Sequence, residues 1–296
     1  MKKTVFLAIT GLVMTTITSC NQDRDEGQGS LSTTQSGMYS RLSPELSDRP
    51  VSKRKMLSRY GLTTKPNHII RHLPSIGNQG YNEQSCVAWA TAYAATTILE
   101  RNFFDRNAPA RSPRFIYNQI NNGICTATPM IKEGLDKLVE LGACSIDEMP
   151  YNPGECSQEV SKDKIAQAKL HKLTKWATVN LKDKALVKTL LANNFPIIIS
   201  VPMIDSFGSI NKNTDWTVTY CPVYNTGTTR HAVCVVGYDD DKKAFKVMNS
   251  YGKDFGDEGF FWISYDVFHG PTEKSPGAFL LEGYTAEIKP DTLPTD

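Results

Sequence analysis

The stretch Gln84-Ser85-Cys86-Val87-Ala88-Trp89-Ala90-Thr91-Ala92-Tyr93-Ala94-Ala95 sets a cysteine where a polar turn gives way to a run of helix formers. The segment Leu73-Pro74-Ser75-Ile76-Gly77-Asn78-Gln79-Gly80 leads into that turn. A helix beginning at Cys86 offers the thiol unpaired backbone N–H groups and the positive end of the helix dipole, both of which favour the thiolate. An arbitrary cysteine is more often a small core residue. The placement therefore gains meaning only if a base stands elsewhere in the chain.

Such a base is offered by Thr229-Arg230-His231-Ala232-Val233-Cys234-Val235-Val236-Gly237-Tyr238, where a histidine heads a continuous apolar run that reads as a buried strand. The acidic turn Asp239-Asp240-Asp241 follows, then a second strand, Ala244-Phe245-Lys246-Val247-Met248-Asn249, whose alternation fits a hairpin with one solvated face. A histidine opening one strand of a hairpin and an asparagine closing the other become neighbours in a sheet. A neutral amide there holds the imidazole in a fixed orientation for proton transfer.

Outward from these segments, composition limits the alternatives. The 296 residues are 40% apolar and 22% charged, enough for one substantial core and unlike a disordered or multispanning membrane chain. A formal charge of +2, with no basic block interleaved with aromatics, argues against a nucleic-acid partner. At the N-terminus Lys2 and Lys3 precede an apolar stretch from Thr4 to about Met14, too short for a permanent span and laid out like a secretory signal. It ends in Ile17-Thr18-Ser19-Cys20, which resembles a bacterial lipobox and implies acylation of Cys20 after removal of residues 1–19. Acyl chains hold a protein on a membrane at about 0.8 kcal/mol per buried methylene. The expected location is the cell envelope, on the periplasmic or outer face of the outer membrane. Residues 20–66 are polar and read as the lipidated cysteine and a flexible stalk, with one catalytic-size domain from 67 to 296.

Read together, Gln79-Gly80, Ser85-Cys86, Ser112-Pro113-Arg114-Phe115, Gly142 followed by Met149-Pro150-Tyr151, His231-Ala232-Val233, Asn249-Ser250-Tyr251-Gly252 and Gly256-Asp257-Glu258-Gly259-Phe260-Phe261 resemble the successive landmarks of the papain family. His231 lies 145 residues after Cys86, within the roughly 130–150 typical of papain-type enzymes. The resemblance implies an α+β fold of two lobes, one helical and one an antiparallel sheet or barrel, with the active site between them. It also implies Cys86 as nucleophile, His231 as its base, Asn249 as the orienting residue and Gln79 as an oxyanion donor. Val201, Ala232 and Met203 would line the pocket for the second residue before the scissile bond, and Cys125 would be bridged to Cys156. Three positions depart from the family pattern. Tyr251 stands where tryptophan is usual, Val87 follows the nucleophile, and Cys125-Thr126-Ala127-Thr128-Pro129 replaces a Gly-Gly pair that binds substrate backbone.

The remaining expectations are narrower. The long connection from Asp205 to Arg230 reads as a cleft rim. Cys234 reads as a core thiol, and Cys144 and Cys221 are undecided. No C-x-x-C or H-E-x-x-H spacing is present, so neither a metal nor another cofactor is expected. The charged patch from Arg49 to Tyr60 is a candidate cover for the cleft. A cysteine peptidase acting on proteins or peptides is the leading function. The alternatives are an acyl-transfer enzyme on the same chemistry, such as a transpeptidase or deamidase, and a non-catalytic peptide-binding lipoprotein.

Overall fold

The computed structural model describes residues 50–80, 83–157, 159–205, 210, 216–225 and 227–295. The signal-like segment, Cys20 and the expected stalk up to residue 49 lie outside the described residues, as does part of the expected cleft rim. Helix α1 (Lys53–Tyr60) and the short strand β1 (Asn67–Ile69) precede the helix that starts at Cys86. That helix runs as α2 (Cys86–Ala88), a wider π-helical stretch (Trp89–Thr96) and α3 (Thr97–Phe103). Two amphipathic helices pack beside it, α4 (Pro113–Ile120) and α5 (Ile131–Glu140). Helix α4 starts where Ser112 accepts the Phe115 N–H and Pro113 supplies a preset φ. Helix α5 buries Ile131, Leu135 and Leu138, spaced to share one face. Helix α6 (Lys162–Ala168) closes this half.

The second half is a sheet. Strand β2 (Lys175–Thr178) and helix α7 (Lys184–Ala192) lead to β3 (Ile197–Pro202), β4 (Thr217–Val218), β5 (Arg230–Asp239), β6 (Ala244–Met248) and β7 (Phe260–Ser264). Helix α8 (Tyr265–Phe268) and strand β8 (Gly283–Glu287) complete it. The strand order is β2-β8-β3-β5-β6-β7-β4 with β1 also on β5, and only β4–β7 is parallel. Antiparallel sheets commonly leave one face wet. Here β3 is buried at every position and β5 at all but Asp239, because the π-helical stretch and α7 both pack on these two strands.

The expected hairpin of β5 and β6 is present, with Tyr238 opposite Phe245, Cys234 opposite Met248 and a bulge between Val235 and Gly237. Its second strand has no solvated face, however. Ala244, Phe245, Val247 and Met248 are buried and Lys246 is half-buried, its ammonium over the Phe260 and Trp262 rings, while Phe268 of α8 packs on Phe245. Cys125 and Cys156 form a disulfide, and closing a loop of 31 residues constrains the unfolded chain by roughly 3–4 kcal/mol. Cys86, Cys144, Cys221 and Cys234 are buried free thiols.

The stalk reading extended to residue 66, and there the structure corrects it. Val51 N–H donates to Thr178 O at 2.9 Å, Ser52 N–H to Pro294 O at 3.1 Å and Lys55 Nζ to Thr295 O at 2.7 Å. Lys53 pairs with Asp183 at 2.6 Å, Met56 is fully buried and Tyr60 packs edge-on against Phe195. Val51, Met56 and Tyr60 put enough apolar surface on one side of a charged helix to dock it. The docking site is α7 and the C-terminal residues, and none of these contacts reaches Cys86 or His231. Of the charged patch from Arg49 to Tyr60, the described part from Pro50 to Tyr60 is therefore a buttress of the sheet in this structure rather than a cover for the cleft. Met56→Ala should lower unfolding stability by about 2–4 kcal/mol in denaturant titrations while leaving catalytic parameters of the folded protein unchanged. A rise in activity on removing residues up to Thr64 would restore the cover reading.

Candidate active site

Cys86 opens α2 and is fully buried. The backbone groups of Ala232, Val87 and Cys86 itself pull its pKa down and offset part of the cost of burial. Burial wins, and the thiol on its own is pushed up to about 12 from an ordinary value near 9. The Ala232 contact brings the sulfur beside His231, the residue before it in β5.

His231 is held from three sides. Its Nε2 is 2.7 Å from Asn249 Oδ1, a bond between the start of β5 and the residue after β6. Its ring stacks on Tyr251 at a centroid distance of 4.4 Å, and Tyr251 meets Phe255 edge-on at 5.4 Å. These rings screen the His231–Asn249 bond from water, so the substitution of tyrosine for the usual tryptophan keeps a shield. The third hold is the chain itself, since the preceding Arg230 is buried and donates to Ser200 Oγ, Ser200 O, Phe279 O and Tyr224 Oη at 2.5–3.0 Å. Ser200 Oγ in turn donates to Glu282 at 2.8 Å. A buried guanidinium that donates four hydrogen bonds in this position anchors β5 to β3 one residue before the imidazole.

Gln79 joins the two halves. Its backbone N–H donates to Ser250 O at 2.9 Å, and its Oε1 accepts from Ser250 Oγ at 2.7 Å. With Oε1 so engaged, Nε2 is the end of the amide left to donate, and it sits 3.5 Å from Glu83 O. Gly252 N–H donates to Gly77 O at 3.0 Å, which extends the stitch. Gly77 must lack a side chain, because a Cβ there would stand 1.9 Å from the Trp89 ring. Asn249, Cys86 and Gln79 thus converge through two segments that contact each other by backbone bonds. A cavity of ≈ 10 Å³, room for one water, lies behind them and is lined by Trp89 and Asn249 among others.

The structure gathers Cys86, His231, Asn249 and Gln79 into one site. Val201 lies opposite His231 in the β3–β5 register, and Val201, Ala232 and Met203 are all buried. The Cys125 carbonyl, in the segment that replaces the Gly-Gly pair, is bound by Gln84 N–H and Tyr117 Oη. Glu83 comes close to Cys125 and Cys156, but the sulfurs are bonded to each other and the carboxylate to Arg114, so this trio is not a ligand set. Sequence reasoning missed Glu83, which had no motif, and quoted Arg114 and Tyr151 without a role. A lone acid three residues before the nucleophile was the available signal.

A family model of papain family cysteine proteases matches residues 74–275. The chain belongs to the papain family. Its α+β architecture agrees with that of solved family members. Xylellain, a cysteine protease from Xylella fastidiosa, superimposes with a TM-score of 0.68 at 22% identity, covering 86% of this chain and 97% of that one. The digestive procathepsin L2 of Tenebrio molitor gives 0.68 at 17% identity over 86% and 79%. The bromelain protease from Ananas comosus, solved with the E64 inhibitor, gives 0.60 at 16% over 76% and 100%. In sequence, an uncharacterized peptidase C1-like protein of Acanthamoeba polyphaga mimivirus is 29% identical over 192 residues, which is 61% of each chain. The alignment thus spans less than two thirds of that relative.

The buried thiols give this papain-family domain a defined alkaline limit. Burial raises Cys144 and Cys221 to about 11, and it raises Cys234 further. Above about pH 9 the unfolded chain releases thiol protons that the native state retains, so stability falls as pH rises through the window from 9 to 11. Unfolding midpoints measured at pH 8 and pH 10.5 should show a decrease, shallower in a Cys144→Ala, Cys221→Ala double variant. Equal midpoints would contradict it.

Proposed function

We propose that the chain is a cysteine peptidase that cleaves peptide bonds through a thioester on Cys86. The observation that carries this is the 2.7 Å bond from His231 Nε2 to Asn249 Oδ1, with the Cys86 sulfur held by the backbone of the very next residue, Ala232. Asn249 occupies Nε2, which leaves Nδ1 as the nitrogen to face the thiol. Transfer of the thiol proton to Nδ1 gives a thiolate–imidazolium pair. Burial penalises a lone thiolate, whereas the pair carries no net charge and each ion compensates the other.

The thiolate attacks the scissile carbonyl carbon, and the C–O π electrons move onto oxygen. Gln79 Nε2–H and the Cys86 N–H donate to that oxyanion. Collapse expels the amine, which takes its proton from His231, and leaves an acyl thioester. His231 then removes a proton from water as it attacks the thioester, releasing the acid and restoring the thiol. Val201, Ala232 and Met203 form the apolar wall for the substrate's second residue, supported by the register of Val201 opposite His231.

The envelope location belongs to the same proposal. It is supported by Lys2, Lys3, the apolar stretch and Ile17-Thr18-Ser19-Cys20, with a lipid on Cys20 as the tether. Among the described residues no helix is long and apolar enough to cross a membrane. Cys20→Ser should move the protein from the membrane to the soluble fraction, and unchanged fractionation would remove the tether.

An epoxysuccinyl probe on the domain should label Cys86 alone, lose its target in Cys86→Ala and slow about 10²–10⁴-fold in His231→Ala. Mass spectrometry of a peptide library should show cut peptides in the wild type only. Peptides modified without cleavage would point to acyl transfer, and equal labelling in wild type and His231→Ala would leave a binding lipoprotein.

A further inference from the structure

Gln79 and Cys86 carry the two proposed oxyanion donors, and a buried charge network is built on Glu83 between them. Glu83 and Arg114 are both fully buried. Arg114 Nη1 is 2.8 Å from Glu83 Oε2, and its Nη2 donates to Oε1 at 2.9 Å. Nη2 also donates to Asn152 O at 2.5 Å, and Gly154 N–H donates to Oε1 at 2.7 Å. The Tyr151 hydroxyl stands 2.9 Å from Glu83 Oε2, 2.8 Å from Gln79 O and 2.7 Å from Ser85 Oγ. Its ring lies 4.4 Å under the Arg114 guanidinium and meets Trp89 edge-on at 4.9 Å.

A phenol has one proton, and two of these three neighbours only accept. Ser85 must therefore donate to Tyr151, whose own proton is shared between Gln79 O and the carboxylate. Burial, with the Glu83 charge adding to it, raises the phenol so that it remains a neutral hydroxyl at physiological pH. A buried ion pair is commonly no more stabilising than apolar side chains of the same volume. What it supplies here is direction, because it fixes one hydroxyl against two points of the same loop.

We infer that Tyr151, backed by the Glu83–Arg114 pair, is a positioning residue of the oxyanion site. It ties the Gln79 carbonyl to the Ser85 hydroxyl, and so sets the separation between the Gln79 amide and the Cys86 N–H. The inference rests on the peptidase reading. Tyr151 touches neither the thiol nor the substrate, so its effect is confined to the step in which charge develops on oxygen.

Tyr151→Phe keeps the ring under Arg114 and against Trp89 while removing the bridge. It should lower kcat by about 10–100-fold with KM within about twofold of wild type. A peptide aldehyde, whose hemithioacetal oxygen takes the same donors, should bind more weakly by the same factor. Alkylation of Cys86 by iodoacetamide, which develops no oxyanion, should keep its wild-type rate and pH profile. Ser85→Ala releases one end of the bridge and should give a smaller fall of the same kind, which keeps the test open if Tyr151→Phe folds poorly. Aldehyde binding and kcat at wild-type levels in both variants would overturn the inference, as would alkylation falling in step with kcat. Wild-type cleavage in the same assay checks the underlying reading, and failure there rather than in the variants would remove both.

Discussion

Two backbone hydrogen bonds, from Gln79 N–H to Ser250 O and from Gly252 N–H to Gly77 O, stitch the segment entering Cys86 to the segment leaving Asn249. The first segment belongs to the helical half and the second to the sheet. Neither side of the site is complete alone, since the thiol comes from a helix N-terminus and the imidazole from β5. The stitch sets where the two halves meet. The Ser250 Oγ bond to Gln79 Oε1 then turns a positional constraint into an orientational one. It turns the Gln79 Oε1 toward Ser250 and the Nε2 toward Glu83 O.

Around this junction the protein buries several charged side chains. Arg111 pairs with Glu100 at 2.7 Å, Arg114 pairs with Glu83, and Arg230 is bonded to Ser200, Tyr224 and Phe279. Unpaired, each would cost several kcal/mol, and paired they are close to neutral against apolar substitutes. Their common property is placement. Arg230 precedes His231, Glu83 lies three residues before Cys86, and Glu100 lies on the continuation of the helix that starts at Cys86. An apolar core tolerates small slides of one element over another, whereas a buried ion pair with short N···O contacts restricts them.

The parts legible in the sequence were those whose signal is local. Cys86 at a polar-to-helical boundary, the apolar run after His231 and the short acidic turn between two strands each announce their element within ten residues. The hairpin followed from them, and with it the meeting of His231 and Asn249. Less was legible where burial depends on what packs from elsewhere. The alternation around Lys246 suggested a wet face, but α8 and the Phe260 and Trp262 rings cover it. The charged helix α1 looked like part of a tether because its composition is polar, yet Met56 and Val51 suffice to dock it against α7 and the C-terminal residues.

The sequence by itself singled out Cys86, His231 and Asn249 as the candidate site, because reactive side chains are constrained by residue type and order along the chain. The α+β class came from the resemblance of the landmark residues to the papain family rather than from any local period. Only the tertiary structure decided that Tyr151 reaches Gln79 and Ser85, that Arg114 neutralises Glu83, and that Ser250 orients the Gln79 amide. These contacts join residues 31 to 171 positions apart. No local pattern encodes which buried charge meets which, since that is settled when the helical and sheet halves close and every polar group excluded from water must find a partner.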